Sequence, residues 1–183
     1  MPSLDVARAF AAEAASRPAV PRLDAAEYCS LMRCWPSGVS VVATAVGERL
    51  EGCTVSAFTS VGVDPPLVLV CLDNRNRTCG AVVESQRFSV SILCADQAAL
   101  AERFAAPGVP DRFDDVHHRL VHDMPVLEAA FCFLVCDVYD ALPASDHTIV
   151  LGAPISGAAT PERRGPLLYL ERGWREVAEP GRR

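Results

Sequence analysis

Two short polar segments hold the residues best suited to chemistry. The first runs from Gly52 to Ser60, where Gly52, Thr54, Ser56, Ala57, Thr59 and Ser60 make a run of small and hydroxylated side chains between two apolar stretches. Small side chains let a ligand approach the backbone, and hydroxyls donate hydrogen bonds without bringing charge. The second is Asp73-Asn74-Arg75-Asn76-Arg77-Thr78, which follows the apolar run LVLVCL and opens a predicted helix. A helix N-terminus offers unpaired N–H groups and the positive end of a dipole, and two Arg and a Thr beside it suit a phosphate. Each segment also has a plainer reading. The first can be an exposed strand edge rich in Ser and Thr. The second can be a polar connection in which Asn74 or Asn76 caps the helix and both Arg are solvated. Local chemistry leaves both readings open for each.

Other reactive residue types are less organised. His117, His118 and His122 lie close together in DDVHHRLVHDMP, but no coherent carboxylate or Cys set accompanies them, so a polar surface loop is expected and no metal site. Of the eight Cys, none form a CxxC pair, and most sit in apolar, strand-like runs, which favours reduced, buried thiols acting as small hydrophobes. Cys132 and Cys136 in FCFLVCDVY are expected on one face of a strand. Ser56 and Ser60 lack the GxSxG setting of a serine hydrolase. There is no GxGxxG after the first strand and no GxxxxGK[ST], which argues against a Rossmann nucleotide site and a P-loop.

Composition narrows the class. The chain has 183 residues, enough for one domain with a substantial core. The net charge is −6, which disfavours nucleic-acid binding. All 17 basic residues are Arg, so any phosphate must be met by guanidinium, hydroxyl, amide or backbone N–H groups. No apolar run approaches the ~20 residues of a membrane span. Asp5 and Glu13 interrupt the first apolar stretch, against a secretory leader, so a cytoplasmic protein is expected.

The elements that must position the two segments follow from pattern. The Ala-rich first 20 residues predict a helix ending before Pro18, and a second helix starts at Asp24 as N-cap, with Leu23, Ala26, Leu31 and Met32 as its apolar side and Trp35-Pro36-Ser37-Gly38 ending it. Strands are predicted at VSVVATAV, at LEGCTVSAFTSV with an irregular end, at LVLVCL, RFSVSIL, FCFLVCDVYDAL and HTIVLGAPIS, with PLLYLE and GWREV as a final pair. Gly47-Glu48-Arg49 reads as a hairpin turn, Asp64-Pro65-Pro66 as a rigid turn, and Pro107 to Pro125 as loop. RNRTCGAVVES reads as a short helix, and Asp96 as the cap of DQAALAERFA. Consecutive strands with short turns favour antiparallel pairing, and closure into a barrel with peripheral helices removes exposed edges.

The order of several motifs resembles the short-chain flavin reductase family, the reductase components of two-component monooxygenases. That family reads roughly PTGV, GMTANSFTSVSLDPPLVLVCLDRRSRT, RFAVNVL, RFA, GDH, PL-Y and RG-Y. This chain has PSGV at 36–39, GCTVSAFTSVGVDPPLVLVCLDNRNRT at 52–78, RFSVSIL at 87–93, AERFA at 101–105, SDHTIVLG at 145–152, PLLY at 166–169 and RGW at 172–174. The resemblance covers about residues 24 to 177. It implies a mainly β fold with peripheral helices, an antiparallel Greek-key split β-barrel of the FMN-binding type. Residues 1–23 would be an N-terminal extension, 24–178 the split-barrel domain and 179–183 a tail.

The resemblance also implies roles. Thr54, Val55, Ser56 and Ala57 would lie along the flavin ring, with Pro36, Ser37 and Gly38 bordering it. Ser60, Arg75, Asn76, Arg77 and Thr78 would meet the phosphate, with Cys71, Leu72 and Asp73 passing close by and Arg103 and Phe104 closing the site. His147 would be the reactive-site side chain, orienting the nicotinamide or serving the protons of the reduced flavin; the plain alternative is a strand-start His bonded to Asp146. Ser56-Ala57, Asn76 and Ser145 depart from the family's Asn-Ser, Ser and Gly. The implied activity is reduction of FMN or FAD by NADH or NADPH, with reduced flavin passed to a separate flavin-dependent monooxygenase, by a homodimer. Two rivals keep the flavin: an enzyme acting directly on an organic substrate, and a non-catalytic flavin-binding protein.

Overall fold

The computed structural model describes residues 21–160 and 165–177. The helix expected in the first 20 residues and the tail at 179–183 lie outside the described residues. The chain up to Met32 and the chain from Arg33 onward are separate compact units. In the first, α1 (Ala25–Met32) starts as its sequence predicts: Asp24 Oδ1 accepts from the backbone N–H groups of Ala26 and Glu27, both at 2.8 Å. None of its residues is buried, so the apolar side assigned to Leu23, Ala26, Leu31 and Met32 is not used as a core face there.

The second unit is built on one seven-stranded antiparallel sheet. In chain order its strands are β2 (Ser40–Val46), β3 (Arg49–Val55), β4 (Phe58–Val63), β5 (Pro66–Asp73), β6 (Arg87–Ile92), β9 (Cys132–Ala144) and β10 (His147–Ala159), arranged β3-β2-β6-β9-β10-β5-β4. Three of the six adjacent pairs, β2–β6, β6–β9 and β10–β5, join strands that are not neighbours in sequence, which is the Greek-key pattern. The run LEGCTVSAFTSV, predicted as one strand with an irregular end, is two strands that break at Ser56-Ala57. These lie at opposite edges of the sheet, so the break is the corner where the sheet curls round on itself. Ala57 C=O accepts from Cys71 N–H at 3.0 Å, tying that corner to β5.

Strand alternation sorts the side chains into two layers. Val42, Cys53, Val55, Val70, Leu72, Phe88, Val90, Cys136 and Val150 fill the barrel, and α2 (Arg77–Ser85) adds Cys79 and Val82 to that core. On the other face of β2, Val41 and Ala43 join Ala101 and Phe104 of α3 (Ala98–Ala105), with Phe113, Leu93 and Leu167. At Gly52 a Cβ would stand 3.0 Å from the Phe104 ring and 3.1 Å from that of Phe113, so a side chain there would press on both rings. Its small size therefore serves helix packing rather than a ligand. Cys132 and Cys136 share the inward face of β9, as the unbroken β6–β9 register requires.

Four local expectations change. Ser37–Gly38 forms a short strand, β1, that pairs with β11 (Leu167–Leu170), and β12 (Gly173–Glu176) completes a three-stranded sheet. The Pro107–Pro125 segment is not all loop: β7 (His118–Val121) and β8 (Met124–Leu127) form a hairpin whose turn, His122-Asp123, has positive φ at both residues. His118 Nδ1 lies 2.8 Å from the Val116 carbonyl and its ring meets Phe113, so these histidines serve the hairpin. A short 3-10 turn, Ala95–Gln97, precedes α3; Gln97 rather than Asp96 holds the N-cap position of α3, and its Oε1 accepts from Cys94 N–H at 2.9 Å in the capping box of the 3-10 turn. Finally, Cys29 and Cys34 are exposed, against the expectation of burial.

Burial pushes the Cys53 thiol up to about 11 and the Cys136 thiol up to about 12. An unfolded thiol titrates near ~8.5, so the unfolded chain loses these protons first, and the thiols' contribution to stability is complete below that pH and lost as pH rises toward the folded values. The urea midpoint is expected to be flat from about pH 7 to 8 and to fall above about pH 9, less steeply in Cys136→Ala. A midpoint constant to about pH 10.5, or an equally steep fall in Cys136→Ala, would contradict this.

Candidate active site

The corner at Ser56-Ala57 is held on both sides. Ser40 Oγ, in a buried side chain, donates to the Val55 carbonyl at 3.1 Å, and Cys71 N–H meets the Ala57 carbonyl. Between these anchors the Ser56 side chain is exposed. It lines a cavity of about 460 Å³ with Val39, Thr54, Ala105, Tyr169 and Trp174. The Tyr169 and Trp174 rings, from the β11–β12 hairpin, stand 5.2 Å apart between centroids, and Trp174 Nε1 donates to Glu102 Oε1 at 2.9 Å. Thr54 Oγ1 donates to the Ala101 carbonyl of α3 at 2.7 Å, so Thr54 gives the cavity its methyl and backbone.

A second cavity, of about 610 Å³, adjoins the first at Ala105. Asp73, Arg75, Asn76 and Arg77 form one wall, and the loop from Pro107 to Arg112 forms the other. Three guanidiniums fix this loop, two by donating to its carbonyls and one by donating from it to carbonyls outside it. Arg77 Nη2 donates to Pro110 O at 2.7 Å and Val109 O at 3.3 Å. Arg103 Nε donates to Arg112 O at 2.8 Å, and Arg112 donates to Gly52 O and Ala106 O, both at 2.7 Å. Arg112 Nε is buried without a partner, a donor left over at this wall.

The second segment is thus a capped helix start beside a cation-rich cavity. Asn76 is the N-cap of α2, its Oδ1 accepting from Thr78 N–H at 3.1 Å. Asn74 is pinned elsewhere: its Oδ1 accepts from Thr148 Oγ1 at 2.7 Å and its N–H donates to Asp146 O at 3.0 Å. Arg75 grips Asp73 through Nε at 3.1 Å and Nη2 at 2.8 Å, and these hydrogen bonds hold the Asp73 carboxyl down at about 2.

His147 opens β10 opposite Asp73 on β5. Its Nδ1 lies 2.7 Å from Asp146 Oδ1, and that hydrogen bond holds the Asp146 carboxyl below its usual range. With Nδ1–H donated to the carboxylate, a neutral imidazole leaves Nε2 as an acceptor. The preceding turn has φ of +59° at Ser145, the first central residue of the β9–β10 hairpin, which is where a glycine is favoured. That geometry is one a Gly at this place in the resembled pattern adopts without strain, and Ser145 adopts it here.

Some predicted residues stand back from both cavities. Val55, Leu72 and Phe104 are buried in the core. Thr78 is fully buried with only the Cys53 thiol beside its hydroxyl. Ser60 lies on the exposed strand β4 and Cys71 half-buried on the outer face of β5 opposite Ile149. Pro36, Ser37 and Gly38 lead into Val39, which lines the first cavity.

A family model described as the flavin reductase like domain matches residues 32–178. The chain belongs to this family. A flavin reductase (NADH) of Kitasatospora aureofaciens is 40% identical over 157 residues, spanning 83% of this chain and 81% of that protein. The reductase component of a 4-nitrophenol 4-monooxygenase/4-nitrocatechol 2-monooxygenase of Rhodococcus opacus is 39% identical over 139 residues, spanning 75% and 74%. Among solved structures, a Streptomyces globisporus NADH:FAD oxidoreductase in complex with NAD and FAD fragments superposes with a TM-score of 0.81 at 30% identity, covering 90% of this chain and 99% of that one. The antiparallel split barrel predicted from the motif order is the fold of these flavin reductases. The expected oxidoreductase class and the pairing of NADH or NADPH with a flavin are those of the named relatives.

The flavin reductase-like residues present here fit a flavin. The first cavity offers small side chains on one side and aromatic rings on the other, which suits a planar ring; the second offers guanidiniums, which suit phosphate. Tyr169, Trp174 and Glu102 were missed as site residues, although PLLY and RGW were visible as motifs. Arg112 was missed because PDRFDD reads as surface loop.

Proposed function

We propose that this protein is an NAD(P)H-dependent flavin reductase that passes reduced FMN or FAD to a separate monooxygenase. The observation that carries the reading is the pair of adjoining cavities at the barrel corner, one walled by Ser56, Thr54, Tyr169 and Trp174 and the other by Arg75, Arg77 and Arg112. Membership of a family whose members include named reductase components of monooxygenases supports it. Both cavities are open and surface-facing, as release of a flavin to a partner requires.

Bound flavin and nicotinamide supply the hydride chemistry between them. The chain's own work is to bind and orient. Thr54 to Ala57 and Pro36 to Gly38 border the ring, with Tyr169 and Trp174 covering it. Arg75, Asn76 and Arg77 hold the phosphate end, next to Asp73, with Cys71 further back on the outer face of β5. Leu72, Thr78, Arg103 and Phe104 support these walls from behind, and Ser60 lies apart from them on β4. His147, its ring fixed by Asp146, presents Nε2 beside Asp73 as the acceptor that positions the nicotinamide or takes a proton.

The enzyme is a homodimer in this reading. The outer face of β5 and β10 carries half-buried Leu69, Cys71, Ile149 and Leu151, and the adjoining edge strand β4 carries exposed Val61 and Val63, apolar surface of the kind that copies of a chain cover. It works in the cytoplasm, where NAD(P)H is supplied. Sedimentation is expected to give twice the chain mass of 19.6 kDa; a species of single mass at micromolar concentration would remove the dimer.

Steady-state assays with each flavin against each nicotinamide test the function. NAD(P)H oxidation is expected only when flavin is present, and His147→Ala is expected to lower kcat by about ten- to hundred-fold. No flavin-dependent oxidation in any combination would sink the reductase reading. An unchanged rate in His147→Ala would remove His147 from the mechanism.

A further inference from the structure

Glu51 is the buried carboxylate of the barrel: at 4% exposure it is the one acidic residue among the buried, described side chains. It sits on β3 on the same face as Cys53 and Val55, at the end of the barrel that α2 covers. A carboxylate removed from water this far needs a charged partner. Two guanidiniums approach it, Arg77 Nε at 3.5 Å and Arg49 Nη1 at 4.0 Å. Arg49 also reaches Glu84 through Nη2 at 3.2 Å, and Arg77 is the closer partner of Glu51.

Arg77 is the first residue of α2 and lines the 610 Å³ cavity. One side of its guanidinium faces Glu51 and the other donates to Pro110 O and Val109 O. A long, flexible side chain is thereby held at both ends in one orientation, spanning from the barrel strand to the opposite wall of the cavity. Half of it stays exposed, so its charge is still offered to a ligand. Glu51 itself lines neither cavity wall.

We propose that Glu51 is the positioning residue of the phosphate cavity: it holds Arg77 so that the guanidinium meets a phosphorylated flavin. The inference rests on the flavin reading above. Three accounts of Glu51 predict different signs. If it acted only by its charge, removing that charge would make the cavity more cationic and tighten phosphate binding. If it served only the fold, its loss would weaken every flavin alike. As a positioning residue, its loss weakens flavins that carry phosphate and spares the one that does not.

The experiment compares KM for FMN, FAD and riboflavin in the wild type, Glu51→Gln and Glu51→Asp at saturating NADH or NADPH, whichever the wild type turns over. Glu51→Gln is expected to raise KM for FMN and FAD about tenfold and to change KM for riboflavin by less than about twofold, the scale of one charge-assisted hydrogen bond. Glu51→Asp restores part of the loss. In an Arg77→Gln background, adding Glu51→Gln is expected to have no further effect, because Glu51 acts through Arg77. Should Glu51→Gln not fold, Arg77→Lys decides: it keeps the charge, cannot bridge Glu51 and the loop, and is expected to show the same phosphate-selective rise. A fall or no change in KM for FMN, an equal rise for riboflavin, or additive effects of the two substitutions would overturn the proposal while leaving the reductase reading intact. A wild type without flavin-dependent turnover overturns both.

Discussion

A sheet of seven strands curls into a barrel only if the chain leaves one edge and re-enters at the other, and here it does so over Ser56 and Ala57. The two flanking carbonyls are satisfied from different strands, Val55 O by the Ser40 hydroxyl of β2 and Ala57 O by the Cys71 amide of β5. The residues between them are released from the sheet ladder, small and open to solvent. That is the constraint on which the rest depends. The corner that closes the core also presents the small Ser56 side chain at a surface cavity, so one turn serves the fold and shapes the cavity.

The second cavity is built by a different device. With no Lys in the chain, the wall opposite α2 is fixed by guanidiniums: Arg77 and Arg103 donate to loop carbonyls, and Arg112 donates from the loop to Gly52 O. Planar guanidiniums with several donors can satisfy such a loop where a point-like ammonium could not. The loop in turn is anchored to Gly52, one residue beyond Glu51, and Gly52 is small because Phe104 and Phe113 press against it. Core packing, loop position and the cation-rich cavity are therefore linked through one short stretch of β3.

Much of this was legible in the residues. Strand positions followed from β-branched runs, the Asp24 and Asn76 caps from their side-chain chemistry, and the barrel from short turns between consecutive strands. The family was legible because its motifs keep their order along the chain. What was not legible depended on long-range geometry. LEGCTVSAFTSV has a continuous strand-like composition, and only closure of the sheet shows that it must break at Ser56. Gly52 looked like a place for close ligand approach because nothing local records the Phe104 and Phe113 rings. His118 and His122 read as loop residues because a hairpin with positive φ at His122 and Asp123 has no glycine to announce it. Tyr169, Trp174 and Arg112 reach the cavities from segments distant in sequence, and periodicity carries no information about which elements meet.

The central claim is that a flavin binds across the barrel corner and the start of α2. Hydrogen–deuterium exchange of the full chain with and without FMN tests it directly. The account predicts slowed exchange on FMN addition at the backbone amides of residues 54–58 and 74–78 and in the loop 106–112, with the β7–β8 hairpin unchanged. Protection confined to that hairpin, or a pattern unaffected by saturating FMN, would contradict it.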